Sequence, residues 1–211
     1  MTATLTLNAA IPAALLHAMA KKDVRYYLKG LYLEPSHGTV RAVATDGSVL
    51  MVATDAYSKW QGDETPVIVP RDAIEWAVKN SKAGSIIVRV DGDKAEVVAS
   101  NGASMVATLV DGKFPDWKMV IPAGPLSGEE PFLASGYLER LGKAGSALTK
   151  MGGAAKSKIG VYPRIIGNGL RSSASFRYGG MAEGLDLGGV VMPMRADESY
   201  SRDNLLTALT M

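Results

Sequence analysis

Two short stretches of this sequence share a pattern that decides the fold: residues 42–54 read AVATDGSVLMVAT and residues 97–108 read VVASNGASMVAT. Both end in the same Met-Val-Ala-Thr, and both carry Asp-Gly or Asn-Gly before it. These dipeptides are strong hairpin-turn signals when apolar strands flank them. The repetition therefore predicts two copies of one hairpin inside a duplicated unit.

A strand and a helix precede the hairpin in each copy. In the first copy, residues 2–7 alternate like a strand, and apolar residues then recur at helical spacing from 11 to 19. The basic pair at 21–22 is expected to close that helix, where cations suit its negative end. In the second copy, an apolar run at 67–69 precedes a helix that opens at Pro70. Each copy thus follows the order β-α-β-β-β.

A fainter third copy follows the Gly/Pro-rich stretch PAGPLSG at 122–128. Residues 132–133 are expected to end a strand, and Ser135 opens a helix. Three β-like runs then lie within 158–166, 171–178 and 185–194. The sequence predicts an α+β fold of three β-α-β-β-β units, with the helices on one face of antiparallel sheets.

The predicted division of the chain follows from these units. Residues 1–122 form a complete domain of two units, residues 123–195 form a half domain of one unit, and residues 196–211 form a tail. The tail is interpreted either as a frayed helix or as a mimic of a binding peptide that occupies a neighbour's site.

Charge is distributed unevenly along the 211 residues, although the net charge is only +2. Residues 1–122 carry 13 basic and 13 acidic side chains, whereas residues 140–182 carry eight basic side chains and no acidic one. Two interpretations of this basic stretch stay open: a solvated face, or a local anion-binding surface.

Several classes of protein are excluded or disfavoured. Cysteine is absent, which excludes disulfides and thiolate metal sites and is compatible with the cytoplasm. No apolar run reaches the ~18 residues of a membrane span, and a signal peptide is not expected. There is no paired-histidine motif, phosphate loop or nucleophile elbow. His17 is interpreted as structural and Asp46 as a turn residue, so neither a catalytic site nor a cofactor is predicted.

Five motifs in order along the chain carry a family resemblance: DVRYYLKG at 23–30, VATDG at 43–47, VIVPR at 67–71, VDGKFPD at 110–116 and VVMPMR at 190–195. They resemble the bacterial DNA polymerase III beta subunit, the sliding clamp. The first four resemble its middle domain and the last resembles the end of its last domain. The resemblance implies a shortened clamp, without the first domain, that encircles duplex DNA, tethers a polymerase and makes or breaks no bond.

The resemblance also implies a hydrophobic pocket between the two domains that receives short peptides from polymerases and the clamp loader. Core packing is the alternative interpretation of the same residues. Ser48, Val49 and Met119 depart from basic residues that the family often has, so peptide preference is expected to differ. The implied pocket residues are Leu28, Thr45, Gly47, Ser48, Val49, Leu50, Pro115, Val120, Val190, Val191, Met192, Pro193, Met194 and Arg195.

A second implied surface is the set of helices, which in the family face DNA without reading its bases. Such contacts give weak, salt-dependent binding, as a sliding protein requires. A solvated helix face remains the alternative. The implied DNA-facing residues are Lys21, Lys22, Arg71, Lys79, Lys82, Arg140, Lys143, Lys150, Lys156 and Lys158.

Assembly follows from the number of units. Rings of the resembled family close with twelve units, so three units per chain predict a homotetramer, with a dimer or an open monomer as alternatives. We expect a cytoplasmic protein of a bacterial, phage or plasmid replication system. The competing hypothesis is a non-encircling interaction protein that binds clamp-partner peptides or competes with a host clamp.

Overall fold

The structure, a computed structural model, describes residues 1–123, 131–155, 160–169 and 172–194. Three helices and twelve strands occupy them, with short 3-10 helices at Tyr26–Leu28 and Trp117–Val120. The helices are α1 (Ala10–Leu15), α2 (Arg71–Lys79) and α3 (Ser135–Lys150). The strands are β1 (Thr2–Asn8), β2 (Gly30–Ser36), β3 (Thr39–Thr45), β4 (Val49–Asp55), β5 (Lys59–Gly62), β6 (Val67–Pro70), β7 (Ser85–Asp91), β8 (Lys94–Val98), β9 (Ser104–Thr108), β10 (Tyr162–Ile166), β11 (Ala174–Gly179) and β12 (Leu185–Val191).

The first two units exchange their opening strands. β1 of the first unit pairs with β7 of the second, and β6 of the second pairs with β2 of the first. The resulting sheets have the orders β5-β1-β7-β8-β9 and β10-β11-β12-β4-β3-β2-β6, and every pairing between named strands is antiparallel. Because each unit completes the other's sheet, the two units form one cooperative body.

The third unit joins the first through the seven-stranded sheet. β12 pairs with β4 over seven residues, with Val190 opposite Leu50 and Val191 opposite Val49. Two further backbone bonds extend this junction: Met192 N donates to Ser48 O (2.9 Å), and Ala56 N donates to Gly184 O (2.9 Å). The junction is therefore a continuous hydrogen-bonded sheet and not a flexible tether.

Two hydrophobic clusters lie on opposite faces of this sheet. Val49 and Val191 belong to the main core under the helices, whereas Leu50 and Val190 belong to a smaller cluster on the other face. Successive side chains of a strand point to opposite faces, which explains the division. The smaller cluster lies where the pocket was predicted.

The predicted α+β fold and the three helices are confirmed, with three local corrections. α1 ends at Leu15 and turns continue the chain, so Lys21 and Lys22 do not close it. The run at 24–33 is rich in β-forming residues and predicts a strand, but Tyr26–Leu28 form a 3-10 helix and the strand starts only at Gly30. Residues 132–133 form no strand. β5, which the repeat pattern did not predict, pairs with β1 at the sheet edge.

Among the residues that the structure describes, no helix is long and apolar enough to cross a membrane.

β9 is one edge strand of the five-stranded sheet, and β10 is one edge strand of the seven-stranded sheet. Pro163 lies in β10, and proline has no backbone N–H to donate. The edge at β10 is therefore less able to accept another strand than an ordinary edge.

Candidate functional site: an apolar pocket and a basic groove

A cavity of about 180 Å³ opens where the first unit meets the third. Its apolar lining comes from three buried residues: Leu28 at the end of the first 3-10 helix, Leu50 on β4 and Val190 on β12. Phe114 supports the same cluster and stacks on Tyr32, with ring centroids 4.6 Å apart. The cavity therefore has an apolar floor that the β-sheet itself builds.

The turn at 45–48 forms one wall of this pocket. Asp46 Oδ1 accepts hydrogen bonds from the N–H groups of Ser48 (2.9 Å) and Val49 (3.1 Å), and Thr45 Oγ1 accepts one from Gly47 N (3.0 Å). Gly47 has a φ of 92°, a conformation that favours glycine. The Asp-Gly pair recognised in the sequence thus shapes the pocket wall.

Arg25 lies at the pocket rim beside this turn. Its guanidinium donates to Asp46 O (3.1 Å) and pairs with Asp23 (2.8 Å). A Cβ on Gly47 would come within 3.2 Å of the Arg25 guanidinium nitrogens, so glycine also gives that side chain its space. Hydrogen bonds from Arg25 lower the pKa of Asp23 to about 2. Arg25 therefore places a guanidinium, with Asp23 as its counterion, at the mouth of an apolar cavity.

Trp117 forms another part of the rim and is held by charged neighbours. The Arg41 guanidinium and the Lys118 ammonium lie 5.7 and 5.4 Å from its ring centroid, within cation–π range. Arg41 also donates to the buried carboxylate of Glu34 (2.6 Å). These contacts orient the indole, which is an amphipathic surface suited to ligand contact.

The structure brings together nine of the predicted pocket residues and places the others elsewhere. Val49 and Val191 are fully buried on the helix side of the sheet and do not line the cavity. Pro193 and Met194 follow β12 outside the lining, and Arg195 lies outside the described residues. The nine that line the cavity are Leu28, Thr45, Gly47, Ser48, Leu50, Pro115, Val120, Val190 and Met192.

Three lining residues were missed by the sequence reasoning: Arg25, Asp116 and Trp117. Arg25 lies inside the DVRYYLKG motif, three residues before Leu28, and Asp116 ends the VDGKFPD motif. Their position within the motifs was the available signal. Asp116 also caps the 3-10 helix at 117–120 by accepting from Lys118 N (3.2 Å).

A larger groove of about 770 Å³ lies on the helix side, between α1, α2 and α3. The lysines that line it are Lys21, Lys22, Lys143 and Lys150, and its acidic residues are Asp23, Asp46 and Glu75. Because the cations outnumber the acids once Arg71 and Arg140 are included, the groove suits an anionic ligand.

His17 lies in this groove. Burial, and then the positive charges of Lys143 and Arg71, hold the pKa of His17 below its ordinary value. An imidazole surrounded by ammonium and guanidinium groups is disfavoured in its own charged form. His17 is therefore a reporter of the electrostatic potential in the groove.

Both of the predicted DNA-facing arginines are already engaged within the chain. Arg71 donates to the carbonyl oxygens of Leu16 (3.0 Å) and Met19 (2.7 Å), and its Nε pairs with Glu75. Arg140 pairs with Asp46. The first arginine satisfies carbonyls just beyond α1, so its contacts are structural as well as electrostatic.

The remaining predicted DNA-facing residues divide by position. The four lysines of the groove are exposed, with Lys143 paired to Glu139 (2.7 Å). Lys79, the last residue of α2, and Lys82, three residues beyond it, are exposed but do not line the groove. Lys156 and Lys158 lie outside the described residues. Within the described ranges, no group of three His, Asp or Glu side chains is placed to hold a metal ion.

Residues 4–116 match the family model described as the central domain of the DNA polymerase III beta subunit. Over 108 residues the chain is 40% identical to the beta sliding clamp of Pseudomonas putida, and over 115 residues it is 42% identical to that of Pseudomonas aeruginosa. These alignments cover 51% of this chain and 29% of each clamp. The matched part is thus less than a third of the relatives' length.

Solved structures extend the likeness over most of the chain. A crystal structure of the Pseudomonas aeruginosa DNA polymerase sliding clamp with a ligand superposes with a TM-score of 0.66 at 23% identity, covering 91% of this chain and 67% of that one. The Helicobacter pylori beta clamp, in complex with diflunisal, gives a TM-score of 0.66 at 12% identity. The fold similarity therefore includes the third unit, which the family model does not reach.

Proposed function

This chain belongs to the family of the DNA polymerase III beta subunit, and on that premise we propose that it is a sliding-clamp-like processivity factor. It encircles duplex DNA and tethers a polymerase or other partners through the apolar pocket. The observation that carries the proposal is the pocket itself. Both of its walls are present and hydrogen-bonded to each other, although the chain matches only part of the length of its relatives.

The pocket has the composition of a peptide-binding site. Its floor is aliphatic, its rim offers the Arg25 guanidinium and the Trp117 indole, and Met192 is exposed at one wall. A flexible thioether adapts to varied apolar side chains, and an aromatic rim residue adds contact area at low entropic cost. We infer that the occupants are short linear peptides of polymerase and clamp-loader subunits. No step of this function needs a catalytic residue or a cofactor.

Peptide binding is tested directly by fluorescence polarisation with a labelled clamp-binding peptide from a polymerase. Met192→Asp puts a carboxylate on the pocket wall and is expected to weaken binding at least about tenfold. Leu138→Asp is the matched control, since Leu138 is 45% exposed against 36% for Met192 and lines neither cavity. Equal affinities for both variants would show that the peptide does not use this pocket.

The basic groove supports the DNA-binding part of the proposal. Its lysines extend from turns and helices toward one open space, and in the described part of the chain no Phe, Tyr or Trp side chain lines it to stack on bases. Such a surface contacts phosphates and not base edges, which is the sequence-independent mode that permits sliding. We propose that Lys21, Lys22, Lys143 and Lys150 supply these contacts.

Ring closure is proposed through the two sheet edges at β9 and β10. Four chains of three units supply the twelve units of a family ring, so we propose a homotetramer. In each chain, residues 1–122 form the complete domain and residues 123–195 form the half domain. Light scattering coupled to size-exclusion chromatography measures this state. A chain that elutes as a monomer at micromolar concentration would rule out the ring.

A second function is favoured by the proline at the β10 edge. Since Pro163 cannot donate to another strand, the third unit is poorly suited to ring closure. The alternative is an interaction protein that displays the pocket without encircling DNA and competes for clamp partners. Retention on nicked circular DNA, with release after linearisation, identifies the ring, whereas peptide binding without retention identifies the interaction protein. A cytoplasmic location and a phage or plasmid origin stay predictions.

A further inference from the structure

Asp46 connects the pocket and the groove. Its backbone lies in the turn that forms the pocket wall, while its carboxylate lines the groove on the helix side. One carboxylate oxygen accepts the N–H groups of Ser48 and Val49, and the other accepts a hydrogen bond from Arg140. A single side chain is therefore fixed from both sides of the junction.

Arg140 is the third unit's contribution to this arrangement. It lies on α3, and in the described part of the chain its bond to Asp46 is the one side-chain ion pair between that unit and the first two. The two side chains retain 30% and 18% of their exposure. A pair that is partly withdrawn from water is screened less than a surface pair, so it holds its geometry more firmly.

We propose that Arg140 is a positioning residue of the pocket: through Asp46 it holds the 45–48 turn in the shape that receives a partner peptide. This inference rests on the peptide-binding role proposed above. It also assigns Arg140 a task inside the protein, where the family resemblance assigned it to the DNA-facing surface.

The contacts of the turn explain how the effect reaches the pocket. Without Arg140, the carboxylate of Asp46 is left partly desolvated and turns toward water, which withdraws the oxygen that caps Ser48 N–H. Ser48 O is also the acceptor of Met192 N, so a shift of the turn moves the opposite pocket wall. One lost ion pair thereby displaces both walls.

The electrostatics of Asp46 agree with this geometry. Burial raises the pKa of Asp46, but the hydrogen bonds from Arg140 and from two backbone N–H groups outweigh that effect and leave the pKa below its ordinary value. The carboxylate is thus ionised at neutral pH and available to both partners.

The test uses the full chain with Arg140→Gln, Arg140→Lys and the control Arg177→Gln. Arg177 is also in the third unit and pairs with an aspartate, Asp186 (2.8 Å), but it lies outside both cavities. We expect Arg140→Gln to weaken binding of the labelled polymerase peptide about tenfold, Arg140→Lys to restore most of it, and Arg177→Gln to change it less than twofold.

Amide hydrogen exchange of Ser48 and Val49 is measured on the same variants without peptide. Faster exchange at these two positions in Arg140→Gln alone, with circular dichroism unchanged, supports the proposal. Normal exchange and normal affinity in Arg140→Gln would overturn it while the proposed function stands. A wild-type chain that binds no peptide would overturn the peptide-binding role and this inference together, whatever the exchange rates show.

Discussion

The two faces of the seven-stranded sheet, built from alternating residues of the same strands, differ in how they use charge and apolar surface. On one face, Leu50 and Val190 form the floor of an open apolar pocket. On the other, Val49 and Val191 are sealed under helices whose outer sides form a basic groove. The difference shows that neighbouring residues of one motif can have separate roles: one residue lines the pocket, and the next stabilises the core.

The largest expected effect comes from exchanging a sealed residue. Val191→Asp places an unpaired carboxylate in the main core and should lower the free energy of unfolding by at least about 4 kcal/mol. Val190, one position earlier, is buried in the floor of the open pocket, from which a carboxylate can reach water, so Val190→Asp should cost less than half of that while abolishing peptide binding. Urea denaturation and fluorescence polarisation measure the two effects. Equal losses of stability would contradict the division between faces.

A smaller effect is expected from the ion pairs that lie across neighbouring strands. Glu34–Arg41 and Arg89–Glu96 are both directly opposite pairs, but Glu34 is buried at the pocket side whereas Arg89 is exposed. Arg41→Gln should cost about 1.5 kcal/mol, because it leaves the buried carboxylate with the Tyr32 side chain as a hydrogen-bond partner and with Lys118, 3.7 Å away, as its nearby cation.

Arg89→Gln is the matched control for that substitution, and its expected cost is within about 0.5 kcal/mol. Thermal unfolding of the two variants gives the comparison. A shift of the same size in both would mean that burial does not distinguish these pairs.

The groove is tested by the titration of His17. The pKa of His17 in the folded chain lies below the unfolded value of 6.5. Between these two pKa values the unfolded chain binds more protons than the folded chain, so the free energy of unfolding declines as pH falls below 6.5. The loss between pH 7 and pH 5 should stay under about 1 kcal/mol, because the imidazole is only partly buried. Denaturation of His17→Gln should show a flatter pH profile than the wild type.

Added duplex DNA should raise the pKa of His17, since phosphates in the groove favour the imidazolium. Nuclear magnetic resonance of the imidazole protons follows this change. His37, which lies in the exposed turn between β2 and β3 and outside the groove, provides the reference resonance. An unchanged His17 titration at saturating DNA would place the duplex elsewhere.

The smallest expected effect concerns the groove lysines. Replacing Lys143 and Lys150 together by Gln should weaken duplex binding about threefold and reduce the salt slope by about 2. The double change of Lys79 and Lys82 removes the same charge outside the groove and should have less effect. Filter binding over a range of salt concentrations compares the two double variants. Identical salt slopes would contradict the proposal that the groove lysines contact the DNA phosphates.

Much of the fold was predictable because it depends on local and repeated signals. The repeated Asp-Gly and Asn-Gly turns lie between β3 and β4 and between β8 and β9, as predicted. The three helix positions also follow from periodicity. The prediction that Lys21 and Lys22 close α1 was wrong. The cation that satisfies the carbonyl of Leu16, just beyond α1, is Arg71, which lies 55 residues further along the chain. A partner that distant leaves no trace in local spacing.

For the site, the motifs in the sequence, through the family resemblance that they carry, predicted which segments meet, and residues from the motifs at 23–30, 43–47, 110–116 and 190–195 line the pocket. Only the tertiary structure decided which residues of each motif face it. Strand register divides Val190 from Val191, and the fold brings Arg140 to Asp46 across 94 positions. Side-chain direction in a sheet reverses with each residue, so a motif indicates a location, while the pairing of strands determines which side chains form the site.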